Sequence, residues 1–564
     1  MVRHVWTGVA GALAVTLIAG PALAQKGPTA LTGVVSSKAE GKMEGVVVTA
    51  RGEGANFDVS VVSNAKGQYS FPRSHVPAGK YTVKIRAFGY DLTSTNSVDV
   101  SAGKAATLDL TLAEAKDPST QLTSADWLNL LPGTDAQKNS VQKVVVSCTY
   151  CHSLERIVKS RHTAEQFVST IHRMHEYFGD GSMASTEGRG RAQFLDPPAR
   201  EAARKNPNWG YFPPTNKVEL AAYLSSINRS GGRELPTASK ALPRPKGKET
   251  RVIITQWDMP RKSTVPHDSD VDSKGHVWYT DQSDYFVGRL DPKTNTFQEW
   301  PLPKSTKHGF GGGSDVQIDR QDRPWFTVTH DKVPGHFGMP GVFDPKTGTY
   351  EFLDLGLPSY SQFNALAPDG SLVQGGLKID PVKRTLLDTF EWNKAPNLPA
   401  GPHAGYESSM DSRGHWYVTD FSGSYIVKVD ARTKDAKFYK VPTPDAMPRR
   451  GRMDGQDRLW FAEYFGDRIA MFDTRTEKFQ EWATPRWTAP YAASVPNRKG
   501  QVFAPSNSAD RVFRLDPKTG EVLAYLMPTS NFDSKQVSID PVSGTAALLA
   551  NTRNAQIVRV EPLD

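Results

Sequence analysis

Cysteine is nearly absent from this 564-residue chain, which holds only Cys148 and Cys151. A disulfide-dense secreted scaffold is thereby excluded, and so is a zinc site built on four thiolates. Long apolar runs are also missing. The run from Val9 to Ile18 falls short of the roughly 18 residues that span a bilayer. Charge of one sign is not in marked excess: 68 Lys and Arg against 60 Asp and Glu leave a net +8, and the charges are interspersed. Basic clustering is weak, at Arg449, Arg450 and Arg452, so a nucleic-acid-binding stripe is not expected.

What is present begins with a secretory signal. Arg3 and His4 precede the apolar run, and Ala22 and Ala24 form a small-residue cleavage site before Gln25. Residues 1–24 are therefore expected to be removed, leaving a periplasmic or secreted chain with no membrane span. Its length calls for several domains. Residues 28–114 read as a small β-sandwich, with strand-like runs at Leu31–Val35, Gly45–Arg51, Val59–Val62, Gln68–Phe71, Lys80–Phe88 and Thr107–Leu112. Residues 117–232 turn helical, with 3.6-residue periodicity near Ala136–Val146, Ala164–Tyr177 and Val218–Ile227. A linker at 233–250, rich in Pro, Lys and Gly, leads into 251–564.

That last part repeats. Trp278-Tyr279, Trp325-Phe326, Leu372-Val373, Trp416-Tyr417, Trp460-Phe461, Val502-Phe503 and Ala546-Ala547 recur roughly every 43–47 residues, the period of a four-stranded propeller blade. A second marker keeps the same register: Asp291, Asp344, Asp430, Asp473 and Asp516, each followed by Pro or a small residue, as suits a hairpin turn. The expected fold is multidomain and mainly β: a sandwich, a small α-helical domain and a seven-bladed β-propeller.

Cys148-Thr149-Tyr150-Cys151-His152 is a C-x-x-C-H motif. Two thiols one helical turn apart can add to the two vinyl groups of one haem, and the adjacent imidazole can then reach the iron. A thioredoxin-like Cys pair would follow a strand in a βαβ unit, and none is evident here. One covalent haem c is expected, on Cys148 and Cys151 with His152 as metal ligand. The segment resembles class I cytochromes c in this motif and in the late helix Val218–Leu224. The resemblance implies a distal methionine. Thr163–Met174 is similar to the helix preceding that ligand in a subgroup, so Met174 is the implied ligand. Met183 is its rival, and His172 and His175 are further alternatives. The competing reading is that Met174 packs a helix core.

Two further resemblances bear on the other domains. Gly33-Val34-Val35, Asn64–Phe71 and Pro77–Val83 are similar to the carboxypeptidase-regulatory-like sandwich, which implies a spacer or binding module. The propeller resembles the streptogramin B (virginiamycin B) lyase family in Val265-Pro266-His267, Trp278–Asp281, Gly401-Pro402-His403 and Leu459–Glu463. Laying out each first hairpin sets His267 opposite Asp281, Arg449 opposite Glu463, Tyr406 opposite Asp420 and Ser314 opposite Val328. Such ends would converge on one mouth, with His267, Asp281, Arg449 and Glu463 as candidate catalytic residues. The alternative is that these pairs only stabilise hairpins. The lyase resemblance implies β-elimination by a His, a nearby Glu and Mg2+. Here the His hairpin carries Asp281 and the Glu hairpin carries Arg449, which weighs against that chemistry and its metal.

The leading expectation is an exported monohaem electron-transfer protein. Its partner would be a redox protein or a small-molecule electron donor, and its propeller would bind that partner or substrate. The rivals are a propeller oxidoreductase that passes electrons to the haem and a lyase acting on a cyclic peptide or lactone.

Overall fold

The computed structural model describes residues 27–142, 152–178, 208–209, 215–232, 241–281, 283, 285–303, 310–330, 339–355 and 364–564. The amino-terminal sandwich forms because its strands alternate. In Gly79–Arg86, Tyr81 and Val83 are buried while Lys80, Thr82 and Lys84 face outward, the period-two pattern of a half-buried strand. Thr29–Ser37 is central to one sheet, pairing with Gly41–Lys42, Gln68–Pro72, Ala106–Thr107 and Leu110–Glu114. The other sheet runs Phe57–Val62, Val47–Gly52, Gly79–Arg86, Ser97–Val100. Leu31, Val48, Phe71, Val83 and Leu110 fill the space between the two.

This second sheet does not end at the sandwich. Val252–Asp258 pairs with Phe57–Val62 on one side and with Gln556–Pro562 on the other. One continuous eight-stranded sheet therefore joins the sandwich to the last blade of the propeller. The chain's two distant segments, 252–258 and 538–562, are zipped together in that blade, which closes the ring by backbone hydrogen bonds. Arg86 reinforces the junction, donating to the Met527 carbonyl at 2.7 Å and pairing with Asp510 at 2.6 Å.

Among the described residues the ring comprises seven sheets, blades I to VII here, at the spacing the repeat implies. Blades I to V are four-stranded, starting at Pro266, Phe310, Asn364, Gly405 and Pro448. In blade VI, Val502–Pro505, Arg511–Asp516 and Glu521–Leu526 pair, and the inner position is taken by bridges at Pro490 and Ala492. Blade VII packs against blade I.

The aromatic anchor has a local cause. Asp272 accepts from the backbone N–H of Lys274 and His276 and from Trp278 Nε1. Asp319 and Trp325, and Asp454 and Trp460, repeat the arrangement. One carboxylate thus shapes the turn and satisfies the buried indole N–H. The second marker is an Asx turn: Asp291, Asp344, Asp430, Asp473 and Asp516 each accept from the N–H two residues on.

Among the described residues, five helices form the middle region: α1 Ser124–Leu130, α2 Asp135–Gln142, α3 Glu155–Val158, α4 Ala164–Phe178 and α5 Lys217–Ile227. α2, α4 and α5 answer the expected periodicities. α1 is set by a capping box between Thr123 and Asp126. None of these helices is long and apolar enough to cross a membrane. Their core of Trp127, Leu128, Phe167, Ile171, Leu220 and Leu224 takes in Trp487 and Ala509 from the propeller. The helical region is thus seated on the ring. Ala125 N–H donates to the Ser508 carbonyl at 2.9 Å, Gln142 donates to the Trp487 carbonyl, and Arg486 pairs with Asp135.

Candidate functional site

Of the C-x-x-C-H motif, His152 lies within the described residues; Cys148 and Cys151 lie outside them, as does Met183. His152 Nδ1 lies 2.9 Å from the Ser153 carbonyl. A carbonyl only accepts, so Nδ1 carries the proton and Nε2 carries the lone pair. Burial lowers the pKa of His152, against the Ser153 hydrogen bond that raises it; Arg156 and the propeller's Arg553 lower it further. The shift favours the neutral ring, the form that ligates a metal. Met174 is half-buried on α4, whose inner face bears Phe167 and Ile171 and packs on α5. His172 and His175 lie on the same helix.

The propeller's first hairpins depart from the expected facing pairs, by one residue in every case. Asp281 pairs with Pro266, Val328 with Gly313, Asp420 with Gly405 and Glu463 with Pro448. The cause is an extra residue in the first strand of blades I, II, IV and V, between Pro266 and Ser269 and at the matching positions. Side chains alternate along a strand, so a one-residue bulge sends the expected partners to opposite faces.

The carboxylates turn outward. Asp281 Oδ1 accepts from Val265 and Ser283 N–H, and its Oδ2 lies 3.0 Å from Arg261. Asp420 pairs with His403 Nδ1 at 2.6 Å, and His403 Nε2 is held by the Pro399 carbonyl. Glu463 lies beside Glu481 and Thr443; burial and the Glu481 carboxylate raise its pKa to about 9. A Cβ at Gly423 or Gly466 would collide with Asp420 or Glu463 respectively, so these positions require glycine.

His267 and Arg449 point the other way, to the ring axis, where the blades meet. Arg449 is 1 % exposed. It lies 3.8 Å from the Tyr491 ring centroid, 4.3 Å from Tyr464, 4.9 Å from Tyr406 and 5.4 Å from Phe421. Such contacts are worth about 0.5–2 kcal/mol each. Tyr406 and Tyr491 share a 2.6 Å hydrogen bond between their hydroxyls. Tyr464 OH reaches the Asn507 side chain at 3.1 Å and the Gln142 carbonyl of α2 at 3.5 Å. The cage thus touches the helical region directly. Beside it, buried Lys535 pairs with Asp533 at 2.7 Å and lies 4.7 Å over Tyr491. Burial brings its pKa down to about 8, against the attraction of Asp533.

Deeper along the axis, His267 Nδ1 lies 2.9 Å from Asp268, and Asp268 pairs with Arg450 at 2.5 Å. Arg450 also donates to Gln536 at 2.6 Å, and Arg452 pairs with Glu407 at 2.5 Å. Burial lowers the pKa of His267. Burial and the Asp268 carboxylate raise that of Asp315. For Asp268, Arg450 and His267 outweigh burial and hold it ionised.

Sequence reading singled out His267 and Arg449 but missed Asp268, Asp315, Glu407, Lys535, Tyr464 and Tyr491. A signal existed for three of these. Aligning the repeats on the first strand puts Asp268, Asp315, Glu407 and Arg450 in one column, immediately after the mouth candidates. Arg450 and Arg452, noted in sequence as a weak basic cluster, are ion-pair members, Arg450 buried and Arg452 half-buried. Among the described residues no group of three or more His, Cys, Asp or Glu is arranged to hold a metal ion. His267, Asp281 and Glu463, the implied His–carboxylate set, do not converge.

Several solved structures are similar to the chain. One is virginiamycin B lyase from Staphylococcus aureus, 18% identical, covering 55% of this chain and 99% of that one at a TM-score of 0.46. A streptogramin B lyase is 16% identical, covering 56% and 100% at 0.46. YCF48 bound to D1 peptide is 11% identical, covering 55% and 97% at 0.40. No curated protein matches the chain. Residues 30–113 match the family model of the carboxypeptidase regulatory-like domain, the kind of sandwich expected for that segment.

Proposed function

We propose that this chain is an exported monohaem c-type cytochrome that transfers single electrons. Its propeller holds a redox partner or small substrate next to the haem-bearing helices. The observation that carries this reading is the state of His152. Its Nδ1 is tied to the Ser153 carbonyl, which leaves the Nε2 lone pair for a metal, as a haem ligand requires. The iron, held by His152 with Cys148 and Cys151 anchoring the macrocycle and Met174 as sixth ligand, would supply one-electron chemistry. The chain's own residues supply the rest. The Ser153 carbonyl orients the imidazole, which is half-buried next to the helical core. Arg553 sets a positive charge in its vicinity, which favours the reduced state.

The test is an optical spectrum and intact mass of the full chain, expressed with haem-attachment machinery. Reducible haem bands and the mass of one bound macrocycle are expected. A colourless chain of polypeptide mass alone overturns the reading.

One observation favours a second reading, in which the propeller oxidises a substrate and passes electrons to the haem. The helical region sits on the end of the ring that carries the Arg449 cage, with Tyr464 bonded to α2. Under that reading Arg449→Lys and His267→Gln abolish substrate-dependent haem reduction. Under pure electron transfer, reduction by a small chemical reductant survives both. The lyase reading, with its Mg2+, has no such support, because Glu463 and Asp281 turn away from His267.

A further inference from the structure

A cavity of about 580 Å³ opens where the sandwich, the helical region and the propeller meet. The sandwich contributes the end of Gly79–Arg86 and the segment after it. The helical region contributes Gln121 and Asp126, the linker Leu242, and blade VI Arg511 and Leu526. The volume falls in the range of small-molecule sites.

Among the described residues its charged lining is Lys84, Arg86, Arg244 and Arg511 against Asp91 and Asp126. Arg86 and Arg244 are closed by ion pairs with Asp510 at 2.6 Å and Glu40 at 2.5 Å. Arg511 is not closed in this way. It is 5 % exposed, and its guanidinium donates only to carbonyls, those of Pro243 at 2.8 Å and Ala509 at 3.3 Å. No carboxylate among the described residues lies within ion-pair distance of it, and its Nε, without a hydrogen bond, is not sealed from solvent. The nearby acids are already bonded. Asp126 accepts from Leu242 N–H and from the N–H and hydroxyl of Thr123; Asp510 holds Arg86; Glu249 accepts from Lys246 and Ala524 N–H. Burial pulls the Arg511 pKa below its ordinary value and Arg86 adds to this, against the attraction of Asp126, Glu249 and Asp510.

A buried guanidinium without a paired counter-ion is costly, and its planar fork is shaped to hold an oxyanion. The rest of the lining narrows the class. Asp91 and Asp126 repel a second negative charge, which disfavours phosphate. Phe88, Leu242 and Leu526 give the same space an apolar wall. We propose that this junction binds a monocarboxylic acid with an apolar body, its carboxylate on Arg511 and its body against Phe88, Leu242 and Leu526. The proposal stands on the junction alone and does not depend on the haem reading.

The test is calorimetric titration of the full-length protein at low ionic strength with benzoate, hexanoate, uncharged benzyl alcohol and inorganic phosphate. Saturable binding of at least one monocarboxylate is expected, with benzyl alcohol and phosphate at least tenfold weaker. Arg511→Gln should weaken the carboxylate at least tenfold. Gln keeps a donor for one of the two carbonyls, so the variant is expected to fold; its thermal transition verifies this. Should it not fold, Lys84→Glu replaces it. Lys84 is exposed on its strand, and a third carboxylate on the wall should weaken binding at least threefold. Failure of both monocarboxylates to bind, equal or tighter binding of benzyl alcohol or phosphate, or unchanged affinity in the folded variant overturns the proposal.

Discussion

In the helical region the chemistry implied by the motif is contiguous, five residues from Cys148 to His152. Along the propeller axis, groups that touch are far apart in the chain: Arg450 on blade V pairs with Asp268 on blade I and bonds Gln536 on blade VII. The first arrangement survives almost any repacking, because covalent spacing enforces it. The second exists only while the ring is closed, and its Asp268–Arg450 pair is buried. A motif therefore reports chemistry directly, whereas a propeller axis reports it only through register.

Four predictions break or sharpen this contrast. The largest effect is expected from Cys148→Ser with Cys151→Ser: complete loss of covalently bound pigment, read by denaturing gel and mass spectrometry. The propeller's far-ultraviolet signal should be unchanged, since no thiol contributes to the ring. Next is Asp268→Ala, which strands Arg450 without its closest carboxylate. A buried charge left unpaired costs about 3–5 kcal/mol, so the thermal transition should fall sharply, whereas exposed Asp388→Ala should cost under about 1 kcal/mol.

Third, Trp487→Ala opens the core that the ring shares with the helices. A loss of about 3 kcal/mol is expected, and the single unfolding transition should split, with the helical region melting first.

The smallest effect has the opposite sign. Glu463 is raised to about 9 in the fold by burial and Glu481, against an ordinary 4.5 when unfolded. The fold therefore prefers the protonated acid. The stability this contributes is complete below pH 4.5 and is lost as pH rises toward 9. Glu463→Gln removes that dependence. It should leave stability nearly unchanged at pH 4.5 and raise it by about 2 kcal/mol at pH 6, at roughly 1.4 kcal/mol per unit. A pH-independent difference would show that Glu463 is ionised in the native ring.

Much of the fold was legible because each local signal had a local cause. Asp272 shapes the turn before Trp278, and Asp291 shapes the next hairpin, within a few residues. Helices α2, α4 and α5 follow from the spacing of Val141, Phe167, Ile171, Leu220 and Leu224. α1 was missed, since its signal is the Thr123–Asp126 cap rather than a periodic stripe. The mouth was half legible. His267 and Arg449 were marked by their place in the repeat, but their partners were misassigned. A bulge of one residue leaves no mark in the hydrophobic pattern and yet exchanges the two faces of a strand.

The sequence by itself determined the repeat, the sandwich strands, helices α2, α4 and α5 and the C-x-x-C-H spacing, because these depend on interactions among near neighbours. Only the tertiary structure decided that Asp268, Arg450 and Gln536 would meet, that Glu463 would turn to Glu481, and that the helices would cap the Arg449 cage. Those outcomes depend on ring closure and on the shared sheet at Val252–Asp258. There, contacts across hundreds of residues fix which face of each strand looks inward.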